Sequence, residues 1–363
     1  MSNPVRVLVV DDSALMRKLI PQILQRDESI QVVGTAMDGN FGLKKLEELK
    51  PQVVTLDLEM PGMGGLDMLK EIMRRHPVPV IVVSSHSTQG ASVTLKALSL
   101  GAFDFVAKPA DVFARMPEIA QELIAKIKAA AQSRGAGVNP APVAPAAKKA
   151  FATRSAPTRV VAIGISTGGP QALQYLLPQL PGDFPGTIVV VQHMPEGFTE
   201  MFARRLDEIC AIKVKEAASG DLLLAGRALI APGNRHIKVK RMPLGDVAIM
   251  SDDPKVNGHR PSADVLFHSV AGEFGAQGVG VLMTGMGDDG AQGLGALKAA
   301  GATTIAQSEE SCVVYGMPKA AIDRGFASRV VSLGAIANTL VAQCITEHRE
   351  VESMSKVAEA GKD

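Results

Sequence analysis

Cysteine is scarce in this chain. Cys210, Cys312 and Cys344 are odd in number and share no CxxC spacing, so neither a disulfide framework nor a zinc site is expected, and the compartment reads as reducing. Charge of one sign is also lacking. Lys and Arg number 38 against 37 Asp and Glu, a formal net charge of +1, which gives no basic field for nucleic acid or anionic lipid. No basic n-region or small-residue cleavage site accompanies the apolar Val5 to Val10, and no apolar run approaches spanning length. The expectation is therefore a cytoplasmic protein without membrane insertion. A P-loop lysine, an HExxH zincin motif and internal repeats are missing too.

What is present is an ordinary globular composition, 46% hydrophobic and 21% charged over 363 residues. At roughly 100 to 200 residues per domain, two domains are expected, each able to bury a core. From Val5 onward, short apolar runs alternate with helix-period segments. VRVLVV precedes Leu15 to Gln25, IQVVGT precedes Phe41 to Leu49, and VVTL precedes Leu66 to Arg74; VPVIVVS then precedes Val93 to Leu100, and FDFVA precedes Pro117 to Gln132. Five such units predict an α/β fold with a doubly wound, five-stranded parallel sheet. Between Ser133 and Arg159 the pattern stops: four prolines, many alanines and no acidic residue predict an extended linker. A second α/β domain then begins at VVAIGI, with helices expected over Phe198 to Ile209, Ala263 to Phe274, Gly293 to Ala300 and Leu333 to Thr346. A hairpin-like insertion is expected around Arg227 to Met250, and a polar tail from Arg349.

Right-handed crossovers place all strand C-termini on one sheet edge. In the first domain this edge collects Asp11, Asp12, Asp57, Ser84 and Lys108. Carboxylates so gathered repel one another, and a hard divalent cation with oxygen ligands, Mg²⁺, resolves the repulsion. Asp57 would then be a phosphoryl-accepting nucleophile, Asp11 and Asp12 would hold the metal, and the Lys108 ammonium and Ser84 hydroxyl would meet the phosphoryl oxygens. Taken singly, each has a plainer explanation: Asp12 or Ser13 as a helix cap, Lys108 as a solvated charge. The joint pattern carries the inference.

In the second domain, Gly164 to Gly168 spell GxSxG after an apolar strand and before a helix opened by Pro170 and Gln171. A serine there stands on a sharp turn beside backbone amides suited to an oxyanion. The short motif is equally explained by simple capping. Further on, His193 ends the strand TIVVVQ, and Asp288 and Asp289 follow GVGVLMTGMG. Serine needs a base, and the base needs a carboxylate, so the set is complete in kind. His76, His86, His236, His259, His268 and His348 lack that strand-end position, and structural or surface roles are expected for them. A rival motif, GxGxxG at Gly285, Gly287 and Gly290 with Glu309 beyond, fits a dinucleotide fingerprint by pattern. Asp288 and Asp289 would place two carboxylates in the turn meant for a pyrophosphate, which argues against it. A DNA-binding output is the other alternative, but the net charge and strand-rich pattern supply no basic recognition face. Arg204 and Arg205, on the helix after His193, are read as solvated.

The motifs VLVVDDS, VTLDLEMPGMGGLD, VVSS and FDFVAKP resemble those of response-regulator receiver domains of two-component systems, over about Met1 to Ile124. The resemblance implies a flavodoxin-like receiver with Asp57 as phospho-acceptor, Asp11, Asp12 and Asp57 at Mg²⁺, Ser84 and Lys108 as switch residues, and a cis Lys108–Pro109 peptide. It implies a chemotaxis histidine kinase as phosphodonor. From about Arg159 to Glu347, AIGISTGGPQAL, VVQHMPEGFT, LIAPGNRH and LMTGMGDDGAQGL resemble the catalytic domain of chemotaxis protein-glutamate methylesterases, the CheB family. That implies Ser166 as nucleophile, His193 as base, Asp289 rather than Asp288 as the orienting acid, Thr167 and Met286 near the oxyanion, and no cofactor in the esterase site. The implied activity is phosphorylation-activated hydrolysis of glutamyl methyl esters, with deamidation of glutamines, on methyl-accepting chemoreceptors during sensory adaptation. The implied order is receiver 1–124, helix end and linker 125–158, catalytic domain 159–347 and tail 348–363. The linker suggests a gating arrangement, in which the unphosphorylated receiver would pack over the Ser166 cleft until the charge added at Asp57 repacks that interface.

Overall fold

The computed structural model describes residues 3–85, 87–108, 112–133 and 156–345, and the chain divides into two compact units, Met1–Asn139 and Pro140–Asp363. The expected linker falls largely, and the C-terminal tail wholly, outside the described residues.

The first unit runs β1 (Val5–Val10), α1 (Ala14–Leu24), β2 (Ile30–Ala36), α2 (Gly39–Leu49), β3 (Val53–Leu56), α3 (Gly65–Arg75), β4 (Val80–Ser85), α4 (Thr88–Ser99), β5 (Asp104–Lys108) and α5 (Val112–Gln132). Its strands are parallel in the order β2-β1-β3-β4-β5. Covered by helices on both faces, they read as continuous apolar runs, and Val7 to Val10 and Val53 to Leu56 are all buried. Helix starts are set by caps rather than by apolar periodicity. Asp38 accepts from the Phe41 amide at 2.9 Å, and Ser87 accepts from that of Gly90 at 2.9 Å. The Ser87 cap starts α4 at Thr88, five residues before the sequence periodicity begins at Val93, because its first turn is polar and carries no stripe.

The second unit holds β6 (Val160–Ile165), α6 (Gly169–Leu176), β7 (Thr187–Gln192), α7 (Phe198–Ile209), β8 (Lys213–Glu216), β9 (Arg227–Ile230), β10 (His236–Lys240) and β11 (Val247–Ser251). It continues with α8 (Ala263–Phe274), β12 (Gly278–Leu282), α9 (Ala291–Ala299), β13 (Thr303–Gln307), α10 (Met317–Asp323) and β14 (Arg329–Val331), and a last helix, α11, is described over 333–345. Seven parallel strands form one sheet in the order β14-β13-β12-β6-β7-β9-β8, while β10 and β11 pair antiparallel apart from it. This corrects the hairpin expected over Arg227 to Met250. Arg227–Ile230 pairs with β7, so only β10 and β11 form the hairpin. Three consecutive buried residues mark β9 as an interior strand, whereas β10 and β11 mix buried and half-exposed positions as a one-faced hairpin does. Packed between β6, β12 and α8 are Ala162, Leu282, Leu266, Phe267 and Val270, each fully buried. A side chain such as Phe267 contributes roughly 1.5 to 3 kcal/mol by leaving water.

Both sheets reverse direction of growth once, between β1 and β3 in the first and between β6 and β12 in the second. Such switch points open a crevice at the strand C-termini. No helix among the described residues is long and apolar enough to cross a membrane.

Candidate active site and acidic pocket

At the switch point of the first sheet, ligand oxygens of Asp11, Asp12 and Asp57 lie within 4.8 Å of one another. Asp11 and Asp57 are buried and Asp12 is exposed. Lys108 Nζ reaches across from β5, 2.6 Å from Asp57 Oδ2 and 3.0 Å from Asp11 Oδ2. Burial pushes the Asp11 carboxyl above its ordinary pKa, and the Asp57 charge adds to this against the opposing pull of Lys108. Burial alone would lower the Lys108 ammonium, but Asp57 and Asp11 more than offset that and raise it. Asp11 Oδ2 is buried, with Lys108 as its cationic partner and two further carboxylates within reach. That donor set fits a hard divalent cation. Ser84, buried at the end of β4, donates to the Gly90 carbonyl at 3.3 Å. Ser13, not Asp12, caps α1, accepting from Met16 N at 3.4 Å. Pro109 is outside the described residues, and with it the Lys108–Pro109 peptide.

In the second sheet, parallel register sets Ile165 against Gln192, so Ser166 and His193 follow at the ends of adjoining strands. The turn bearing Ser166 is pinned on both sides. Its amide donates to Thr284 O at 3.0 Å, and its carbonyl accepts from Gly169 N at 2.8 Å and from Gln192 Nε2 at 3.0 Å. Gln192 Nε2 also lies 3.2 Å from the His193 carbonyl, which ties the two strand ends together. Glycine is required at 169: a Cβ there would sit 1.9 Å from Gln192 Oε1. It is required at 285 as well, where a Cβ would meet Ser166 Cβ at 2.8 Å.

Asp289, in the turn between β12 and α9, lies 2.9 Å from His193 Nε2 through Oδ2 and is almost wholly buried. Its carboxylate sits at the N-terminus of α8, accepting from Ser262 Oγ at 2.6 Å, Ala263 N at 2.7 Å and Asn257 Nδ2 at 3.1 Å. Burial would raise its pKa, yet the hydrogen bond and charge of His193, with the Ser262 hydroxyl and Ala263 amide, hold it well below the carboxylate range. Asp288 points away, exposed, to Arg324 at 2.7 Å. With Nε2 on Asp289, His193 Nδ1 is left buried without a hydrogen-bond partner, which makes it the nitrogen open to a proton from a neighbouring hydroxyl. Among the described hydrogen bonds none joins Ser166 Oγ to His193. The amides of Thr167, Gly168 and Met286 likewise donate to no protein acceptor among the described bonds, leaving a cluster of free donors beside Ser166.

The other expected residues fall elsewhere. His236 is buried and structural, its Nδ1 accepting from Ser262 N at 3.2 Å and its Nε2 3.0 Å from the Pro254 carbonyl. His76 and His268 are exposed, while His86 and His348 lie outside the described residues. Arg204 and Arg205 pair with Glu200 and Glu208 on the face of α7. His259, for which a structural or surface role is expected, is half-buried with its ring stacked on His193, centroids 3.8 Å apart and planes 8° from parallel. The sequence reasoning also missed Gln192, Asn257 and Ser262. Each acts across the fold on a residue distant in sequence, so no local spacing marks it. The one available signal was Asn257-Gly258, a tight-turn dipeptide just ahead of a helix start.

The family model described as CheB methylesterase matches residues 161–340, and that described as response regulator receiver domain matches residues 7–119. The protein-glutamate methylesterase/protein-glutamine glutaminase 2 of Koribacter versatilis (strain Ellin345) is 62% identical over 351 residues, covering 94% of this chain and 97% of that relative. The protein-glutamate methylesterase/protein-glutamine glutaminase of Salmonella typhi is 46% identical over 342 residues, covering 94% and 97%. The crystal structure of the Thermotoga maritima CheB methylesterase catalytic domain matches at TM-score 0.50 and 40% identity, covering 52% of this chain and 98% of that one. Fold and pockets thus define a response regulator whose receiver is followed by a hydrolase unit. The chain belongs to the CheB family of protein-glutamate methylesterases/protein-glutamine glutaminases.

Proposed function

We propose that this protein hydrolyses glutamyl methyl esters, and deamidates glutamines, on methyl-accepting chemoreceptors in the cytoplasm, with Ser166, His193 and Asp289 as its triad. The observation that carries this is the buried Asp289 carboxylate 2.9 Å from His193 Nε2 at the strand ends that also present Ser166. Ser166 Oγ attacks the ester carbonyl and its proton passes to His193. The oxyanion is met by the free amides around Thr167 and Met286. The carbon–methoxy bond then breaks, methoxide takes the proton from His193, and methanol leaves. Water adds to the acyl-enzyme with His193 again as base, releasing glutamate and restoring the serine. A glutamine follows the same path with ammonia as the leaving group. Asp289 holds the imidazole and steadies its positive charge throughout.

Regulation is assigned to Asp57, phosphorylated by a chemotaxis histidine kinase. Asp11, Asp12 and Asp57 would hold Mg²⁺, which supplies charge neutralisation for phosphoryl transfer. Lys108 offers the remaining cationic contact to the phosphoryl oxygens, and Ser84 a hydroxyl at the switch position. The charge of roughly −1.5 to −2 then added at Asp57 is the signal that raises turnover at Ser166. Methanol release from methyl-esterified receptor membranes, with and without a small phosphodonor, tests both parts. Ser166→Ala is expected to abolish release, and Asp57→Asn to keep basal release while ignoring the phosphodonor. Wild-type turnover in Ser166→Ala would remove the esterase assignment, and a full phosphodonor response in Asp57→Asn would remove the switch.

A further inference from the structure

Between β11 and α8 the chain makes a two-residue hairpin that the chemistry above does not use. Val256 N donates to His259 O at 3.1 Å and His259 N returns to Val256 O at 2.9 Å. The two residues between, Asn257 and Gly258, both have positive φ, 52° and 79°. That is the backbone of a type I′ turn, for which Asn-Gly is the favoured pair. Its two arms reach the two hydrogen-bonded members of the triad. Asn257 Nδ2 donates to Asp289 Oδ1 at 3.1 Å and to Asp264 Oδ2 at 2.7 Å, and His259 lies over His193 at 3.8 Å.

We propose that the Val256–His259 turn is a positioning clamp for the reaction, in which Asn257 holds Asp289 apart from a second buried carboxylate while the His259 ring caps the face of His193. The proposal rests on the triad assignment above. Asp264 is buried at the first turn of α8, its other oxygen accepting from Gly293 N at 2.6 Å. Burial pushes its carboxyl up, and the Asp289 charge adds to the shift. Two carboxylates this close resist joint ionisation unless donors stand between them. The Asn257 carboxamide is such a donor, and it leaves Asp289 ionised for His193. The His259 ring acts on the other partner. Stacked in parallel, it restricts rotation of the imidazole and covers the side of a ring whose Nδ1 is already shut off from solvent. The groups facing His193 are then Asp289 from the β12–α9 turn and His259 from the clamp, with Asp264 behind Asp289 and Ser166 at the end of the adjoining strand.

Steady-state methanol release by the full chain, phosphodonor present, measured from acid to neutral pH, tests the clamp with four variants whose folding is checked by thermal unfolding. Asn257→Asp replaces a donor by a third carboxylate. It is expected to lower kcat and to move the acidic limb of kcat/KM to higher pH, since added negative charge favours the protonated base. His259→Ala is expected to lower kcat about threefold to tenfold at unchanged KM, the scale of one aromatic stacking contact, and His259→Phe to recover most of it. A wild-type acidic limb in Asn257→Asp together with wild-type kcat in His259→Ala would overturn the clamp. A His259→Phe variant as impaired as His259→Ala would overturn it too, because ring capping would not then be what His259 does. Ser166→Ala separates the two levels: activity surviving there sinks the triad itself, whereas its loss beside unaffected clamp variants sinks only the clamp.

Discussion

Asp289 shows how one side chain is tuned by what surrounds it. Four donors and the N-terminus of α8 converge on a carboxylate that burial alone would protonate. Because its folded pKa is depressed, its contribution to stability is complete above the unfolded value of about 3.9 and is lost as pH falls below it. Asp289→Asn is therefore expected to flatten the acid dependence of the urea midpoint below about pH 4. It should also cut methanol release by about 10³- to 10⁴-fold, the scale for losing a triad carboxylate. An unchanged acid profile would show that the surrounding donors do not favour the ionised form. Asp288, one residue earlier, is exposed on Arg324, and Asp288→Asn is expected to leave both measurements near wild type.

At the scale of elements, the β6–α6 turn depends on space as much as on hydrogen bonds. Gly169→Ala would drive a methyl to within 1.9 Å of Gln192 Oε1, whose amide holds both the Ser166 and His193 carbonyls. Overpacking of this kind costs about 1 to 3 kcal/mol, and the shift should reach Ser166 and lower kcat. Gly272, in α8, has nothing within 4 Å of where a Cβ would stand. Gly272→Ala should instead stabilise the unit by about 0.5 to 1 kcal/mol. Urea unfolding of the pair decides the matter: equal effects would mean that local helix propensity, not the Gln192 contact, governs both sites. Elements also divide by how far the sequence revealed them. Interior strands such as Val160–Ile165 and Thr187–Gln192 are uninterrupted buried runs, whereas at the two sheet edges β8 was hidden by its polar residues and β14 by a length of three residues. An edge strand is exposed along one side and protected by charge, so it carries little apolar signal.

The whole molecule consists of two units, each with its own sheet and core, and among the described residues the acidic cluster lies in the first. Differential scanning calorimetry is expected to resolve two transitions, with Mg²⁺ raising that of the receiver unit alone. The gain approaches about 2.7 kcal/mol at a hundredfold excess over Kd. It should vanish with a chelator or in Asp11→Asn, and a shift of the second transition by Mg²⁺ would contradict a site confined to the first unit. By itself the sequence determined the alternation of strands and helices, the pairing of acidic and lysine residues at strand ends in the first half, and the presence of Ser166, His193 and Asp289 after apolar runs. These are local patterns, set by the side-chain period of a buried strand and by the turn that ends it. Only the tertiary structure decided how Asp289, which the family motif already favours over Asp288, meets His193, that Gln192 ties the Ser166 turn, and that Asn257 and His259 close on the triad. Those contacts join residues between 26 and 96 positions apart and depend on strand order, which sequence periodicity does not encode.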